Sequence, residues 1–133
     1  IVRRNYEAAD KNDLTTFREQ LASDVVIHLP SMPGPLNREA LLQMMNVMFL
    51  GLTERRHVFE DQIAEGDKVV TRLMLHAVHT GEFQATPATG KQIAVSQIAI
   101  HRIQNGKIVE VWVSSDDIGM MQQLGLMPSQ ADQ

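Results

Sequence analysis

Apolar and polar positions divide the chain into halves of different periodicity. Residues 2–9 and 14–22 carry apolar side chains at helical spacing, with the turn formers Asp10-Lys11-Asn12-Asp13 between them and Asp13 placed to cap the second helix. Val25-Val26-Ile27-His28-Leu29 is short and β-branched and runs into Pro30-Ser31-Met32-Pro33-Gly34-Pro35, which predicts a strand followed by a stiff loop. Asn37 then caps a third helix reaching about Phe49, with Leu41, Leu42, Met44, Met45 and Met48 on its apolar positions and Gly51 as its stop. Beyond it the pattern turns extended over 56–64, 68–84, 92–104 and 107–115, broken at Gly66-Asp67, at 87–90 and at Asn105-Gly106. Helices first and strands afterwards predict an α+β fold, with N-terminal helices packed against a curved antiparallel sheet. A chain of 133 residues makes one domain over 1–133, with only the tail at about 129–133 expected to fray.

Asn105-Gly106 is the strongest local signal, because a two-residue type I′ turn takes positive φ at both positions and sets the register of the strands it joins. A plain hairpin puts Gln104 opposite Lys107, then pairs Ile103 with Ile108, His101 with Glu110, Ala99 with Trp112, Gln97 with Ser114 and Val95 with Asp116 on one face. The other face then carries Ile98, Ile100, Val109, Val111 and Val113. A mixed face with a few placed polar groups reads as a ligand-pocket wall. The aliphatic face has no helices left to cover it, which predicts burial against a second copy in a homodimer.

Composition narrows the function. Apolar residues make up 44% and charged residues 21%, a globular balance, and the formal charge of −4 comes with no Lys/Arg run, so neither nucleic acid nor an anionic membrane is an expected partner. Without cysteine there is no disulfide, thiolate metal site or cysteine nucleophile. The opening Ile1-Val2-Arg3-Arg4 and the lack of a long apolar run suggest neither a signal peptide nor a span, and a cytoplasmic location is expected. No His-x-His or His-Glu-x-x-His spacing supports a metal, and no glycine-rich phosphate loop or Gly-x-Ser-x-Gly elbow supports a nucleotide or a serine hydrolase.

The runs 64–72, His79-Thr80-Gly81-Glu82-Phe83, Ala88-Thr89-Gly90-Lys91, 102–112, Asp116-Asp117-Ile118-Gly119 and Gln123-Leu124-Gly125 together resemble the SnoaL-like polyketide cyclase, or ester cyclase, family. The similarity spans nearly the whole chain and departs at Phe49-Leu50-Gly51-Leu52, where a Phe-Pro-Asp-Leu-like turn is usual. It implies a nuclear transport factor 2-like cone, a dimer, and cofactor-free ring closure by intramolecular aldol condensation. It also implies that the aspartate of a Trp-x-x-x-Asp segment, here Asp116, is the acid/base.

An aldol closure takes a proton from a carbon beside one carbonyl and delivers one to the oxygen of another, so a single carboxyl can serve. Asp116 beneath the Trp112 indole would gain the apolar surroundings that raise a carboxyl toward neutrality, with Asp117 left to cap the last helix. The alternative for Asp116 is that cap itself. His79 is expected near the level of Ile98, able to bond a substrate oxygen, with Gln97, Ser114 and His101 along the wall and His28 at the pocket mouth. His57 and His76 carry no special expectation. The methionines read as core packing, and their thioethers also suit a flat apolar ligand. An isomerase or hydrolase in the same pocket, or a noncatalytic small-molecule binder, fits the same residues.

Overall fold

The computed structural model describes residues 1–83 and 85–127, so the expected strand end at Gln84 and the expected fraying over 129–133 fall outside it. Chain order is α1 (Val2–Asp10), α2 (Leu14–Glu19), β1 (Leu21–His28), α3 (Arg38–Gly51), β2 (Leu52–Glu65), β3 (Lys68–His79), β4 (Gln92–Gln104), β5 (Lys107–Ser115) and α4 (Asp117–Gln123). One sheet runs β1-β5-β4-β3-β2, antiparallel except where β1 lies parallel to β5. This is the expected α+β cone, with one more strand than the four-strand meander.

Three boundaries differ from expectation, two through burial and one through close packing of a loop. Leu21, Val25 and Ile27 are nearly inaccessible and belong to one core cluster, so burial pulls Leu21 out of the second helix and into β1. Leu52, at the start of β2, is drawn in likewise. β3 stops at His79, where the chain turns into a loop packed against Gly51; a Cβ on Gly81 would sit 2.1 Å from the Leu50 carbonyl oxygen.

The hairpin at Asn105-Gly106 forms as predicted, with φ of 53° and 74°. Gln104 pairs with Lys107 and Ile103 with Ile108, but then Arg102 pairs with Glu110, His101 with Val111 and Ile100 with Trp112. One extra residue, Val109, is bulged on β5, and every β5 side chain beyond it changes face. A plain hairpin would have turned Glu110 toward the helices and Val111 and Val113 away from them. The bulge buries Val111 in the cluster beneath α1 to α3, packs the half-buried Val113 against it, and leaves Glu110 outside with Arg102 and His28. The expected pairing of His101 with Glu110 is corrected by this shift.

Packing on the inner face is split. Ala8, Ala9, Phe17, Leu21, Val25, Ile27, Leu42, Met45, Ile108 and Val111 form one cluster, and Leu52, Leu75, Ala77, Ile93, Val95, Met120 and Leu124 form another beneath α4. Between α1, α3 and the sheet the cone remains hollow.

Candidate active site

The hollow is a cavity of about 160 Å³. Its apolar wall is Leu41, Met44, Met45, Met48 and Phe49 on α3 with Val111 and Val113 on β5, and its polar wall is Asn5 and Tyr6 on α1, Arg55 and His57 on β2, and Gln97 and His101 on β4. The sequence placed Gln97 and His101 on a pocket wall, and both line it. His57, Asp10, Tyr6 and Arg55 were not anticipated.

Asp10 ends α1 and His57 stands on β2, 47 residues apart. His57 Nδ1 lies 2.6 Å from Asp10 Oδ1, and the His57 backbone N–H donates to Asp10 Oδ2 at 2.8 Å. Both carboxylate oxygens are thereby occupied, the ring is fixed, and the Nδ1 proton points at Asp10, which leaves Nε2 as the acceptor nitrogen. The imidazole lines the cavity and the carboxylate stands behind it. Nothing in the local sequence announces this pair. Asp10 reads as a turn former and His57 as one of five histidines, and only the α1–β2 packing joins them.

Arg55 makes that packing specific. A bulge around Glu54, at φ 52°, turns Arg55 inward, where it is 7% exposed. Its guanidinium donates to the carbonyls of Leu52 at 2.6 Å and Ala9 at 3.1 Å, bonds the Asn12 side chain, and lies over the Phe49 ring with its carbon 3.5 Å from the centroid. Ala9 and Asn12 bracket Asp10, and Arg55 is two residues from His57, so this one side chain clamps the two ends of the pair together.

Tyr6 sits beside it, its ring centroid 4.7 Å from that of His57 and 5.7 Å from that of His101. Burial first, and then the Asp10 charge, push the phenol above its ordinary range, so it stays protonated and able to donate. His101 is 3% exposed, with a buried Nδ1 that has no partner among the described residues, and burial lowers its pKa to about 4. At neutral pH it is an uncharged imidazole.

The remaining anticipated residues lie elsewhere. Trp112 and Ser114 are on the outer face because of the Val109 bulge, and His28 is there too, stacked on Trp112 at 5.3 Å and bonded through Nε2 to Glu110 at 2.8 Å. The bonds from His28 and then Arg102 hold the Glu110 carboxyl below the usual carboxylate range. These residues border an outer groove of about 390 Å³ with Pro30, Met32, Pro35, Ile98 and Ile100, not the inner cavity. His79 is fully buried but level with Lys91 and not with Ile98. The Thr89 N–H donates to its Nδ1 at 3.3 Å, its backbone bonds Gly90 and Lys91, and it lines no part of the cavity. Asp116 caps α4, its Oδ1 accepting from the Gly119 N–H at 2.9 Å; it is exposed, and the indole expected above it faces the other side of the sheet. The expectation that Asp117 is the cap is corrected with it.

No group of three or more potential metal ligands occurs among the described residues. No helix among them is long and apolar enough to cross a membrane.

Comparison with known proteins places the chain. Residues 1–124 match the signature of the SnoaL-like polyketide cyclases. The chain belongs to that family. It is 31% identical over 131 residues to the aklanonic acid methyl ester cyclase DnrD of Streptomyces peucetius, covering 94% of this chain and 88% of DnrD. The crystal structure of IdmH from Streptomyces antibioticus superposes with a TM-score of 0.81 at 34% identity, over 90% of this chain and 92% of IdmH. AclR of Streptomyces galilaeus, described as a candidate hydroxylase, shares the fold at a TM-score of 0.86 and 22% identity, over 94% of this chain and 78% of AclR. One cone therefore carries more than one proposed chemistry, and the reaction has to be argued from the site.

Proposed function

We propose that this SnoaL-like protein is a cofactor-independent cyclase that closes a ring by intramolecular aldol condensation inside the inner cavity, with His57 as acid/base and Asp10 behind it. The observation that carries this reading is the 2.6 Å His57–Asp10 contact on the wall of the cone. His57 Nε2 takes a proton from a carbon beside one carbonyl. The enolate carbon attacks a second carbonyl of the same molecule, a carbon–carbon bond forms, and the carbonyl π pair moves onto oxygen. That oxygen takes the proton back from His57, while the Tyr6 hydroxyl donates a hydrogen bond to the charge that develops. The curated relatives' name supplies the first substrate to try, aklanonic acid methyl ester.

His57→Gln is expected to lower kcat by roughly 10²–10⁴-fold with ligand binding retained, and Asp10→Asn to lower it less, because it loosens the base without removing it. Asp116→Asn is the matched control: asparagine caps a helix about as well as aspartate, so the fold is kept while the carboxyl is lost. Unchanged turnover in Asp116→Asn fits His57 as the base. A collapse there, with His57→Gln active, would return the role to Asp116 as the family resemblance implies.

The outer face of the sheet supports a second copy as partner. Val58, Ile63, Val70 and Ile98 are exposed on it beside Ile100 and Trp112, an apolar surface that no element among the described residues covers. The homodimer proposed here uses Ile98, Ile100 and Trp112; Val111 and Val113, expected on this face, are turned inward.

A further inference from the structure

Size is the least expected property of the cavity. An apolar cavity of about 150 Å³ holds a single benzene ring, whereas pockets that enclose larger ligands run to about 300–1,000 Å³. At about 160 Å³ the inner cavity, which has an open mouth, encloses about one ring. The occupied space is filled from α3: Met45 is 6% exposed and packed into the core, Met48 and Leu41 lie beside it, and the Arg55 guanidinium holds the Phe49 ring in place. Thioethers reshape readily, but Met45 is anchored, so the wall can flex at Met44 and Met48 without withdrawing as a whole.

The polar groups are gathered at the opposite wall. The Tyr6 ring lies 4.7 Å from that of His57 and 5.7 Å from that of His101, and His101 keeps a buried nitrogen without a partner among the described residues. A buried polar atom left unmatched is costly, and a ligand oxygen or hydroxyl brought into this wall offsets that cost.

We infer that the substrate of this protein is a compact one-ring dicarbonyl compound, its ring held against Met44, Met48 and Leu41 and its oxygens turned to Tyr6, His57 and His101. Ligands much larger than one ring are disfavoured by the α3 side chains. This inference rests on the inner cavity being the reaction site.

The test is a size series on the full chain, with binding and turnover read separately. An aryl 1,5-diketone containing one aromatic ring closes to a six-membered ring by the same chemistry, and aklanonic acid methyl ester is the large comparator. Calorimetry on the wild-type protein is expected to show the one-ring diketone bound at least about tenfold more tightly than the large ester. Met48→Ala and, separately, the more exposed Met44→Ala are expected to narrow that ratio by about tenfold, mainly through tighter binding of the large ester. Two variants guard against one that fails to fold. Equal or tighter binding of the large ester by the wild-type protein overturns the inference, as does a ratio that neither folded variant changes. A size preference in binding with no turnover of either compound keeps the one-ring limit on what the cavity holds and overturns the reading of that ligand as a cyclisation substrate. Turnover of the large ester lost in His57→Gln, with no size preference, does the reverse.

Discussion

His101 carries a pH dependence that can be read without knowing the substrate. Burial depresses its pKa from 6.5 to about 4, so the folded protein resists protonating it while the unfolded chain does not. Between those values the unfolded state binds more protons, and stability therefore falls as pH drops from about 6.5 toward 4, by as much as ~3 kcal/mol. His101→Gln removes the titrating group, and its urea-unfolding free energy is expected to fall less between pH 7 and pH 4.5 than that of the wild-type protein. Carboxylates titrate alike in both proteins, so the difference isolates this ring. A matching loss in the two would mean that His101 is not desolvated. The same neutrality suits the site, since an uncharged imidazole can donate to or accept from a carbonyl compound without adding a charge beside His57.

The bulge at Val109 decides more than any other local feature, because it sets which β5 side chains face the cavity. Val109 is the extra residue, so deleting it closes the bulge and leaves Glu110 opposite Arg102 and Val111 opposite His101, each on its present face. The deletion variant is expected to fold and to melt within about 5 °C of the wild-type protein, because no core side chain is exchanged, whereas Val111→Glu, which puts a carboxylate at an inward position, is expected to melt more than about 10 °C lower. A deletion variant that melts as low as Val111→Glu would show that the bulge itself, and not the faces it sets, holds the strand pair together. The turn itself is not at fault in the sequence-based register. Asn105-Gly106 fixes the first two pairs on either side, and the third is chosen by which alternative buries valine and leaves glutamate in solvent.

In the whole molecule, α1 to α3 cover the inner face of the sheet and the outer face is left with exposed apolar residues. Ile98, 49% exposed at the middle of β4, is the residue whose change to a charge should separate a dimer without touching the cavity. Sedimentation equilibrium is expected to give a dimer for the wild-type protein and a monomer for Ile98→Lys, with the melting transition of the variant dependent on neither copy number nor concentration. A wild-type monomer at tens of micromolar would dismiss the proposed interface.

What the sequence determined alone is everything governed by neighbours along the chain. The helical spacing of 2–9 and 38–49, the caps at Asp13 and Asn37, the positive-φ turn at Asn105-Gly106 and the ordering of helices before strands all follow from local stereochemistry, and with them the α+β class, while the family follows from the resemblance of the runs between 64 and 125. Gln97 and His101 were placed on a pocket wall because alternation along one strand survives any register shift in its partner. Tertiary structure decided the rest. Trp112 and Ser114 moved to the outer face because burial of Val111 and Val113 outweighed the plain hairpin count, and Asp116 took the helix cap because α4 begins one residue after it. Asp10 met His57 across 47 residues because Arg55 bonds the end of α1 to the bulge in β2, a contact between elements that no periodicity along the chain encodes.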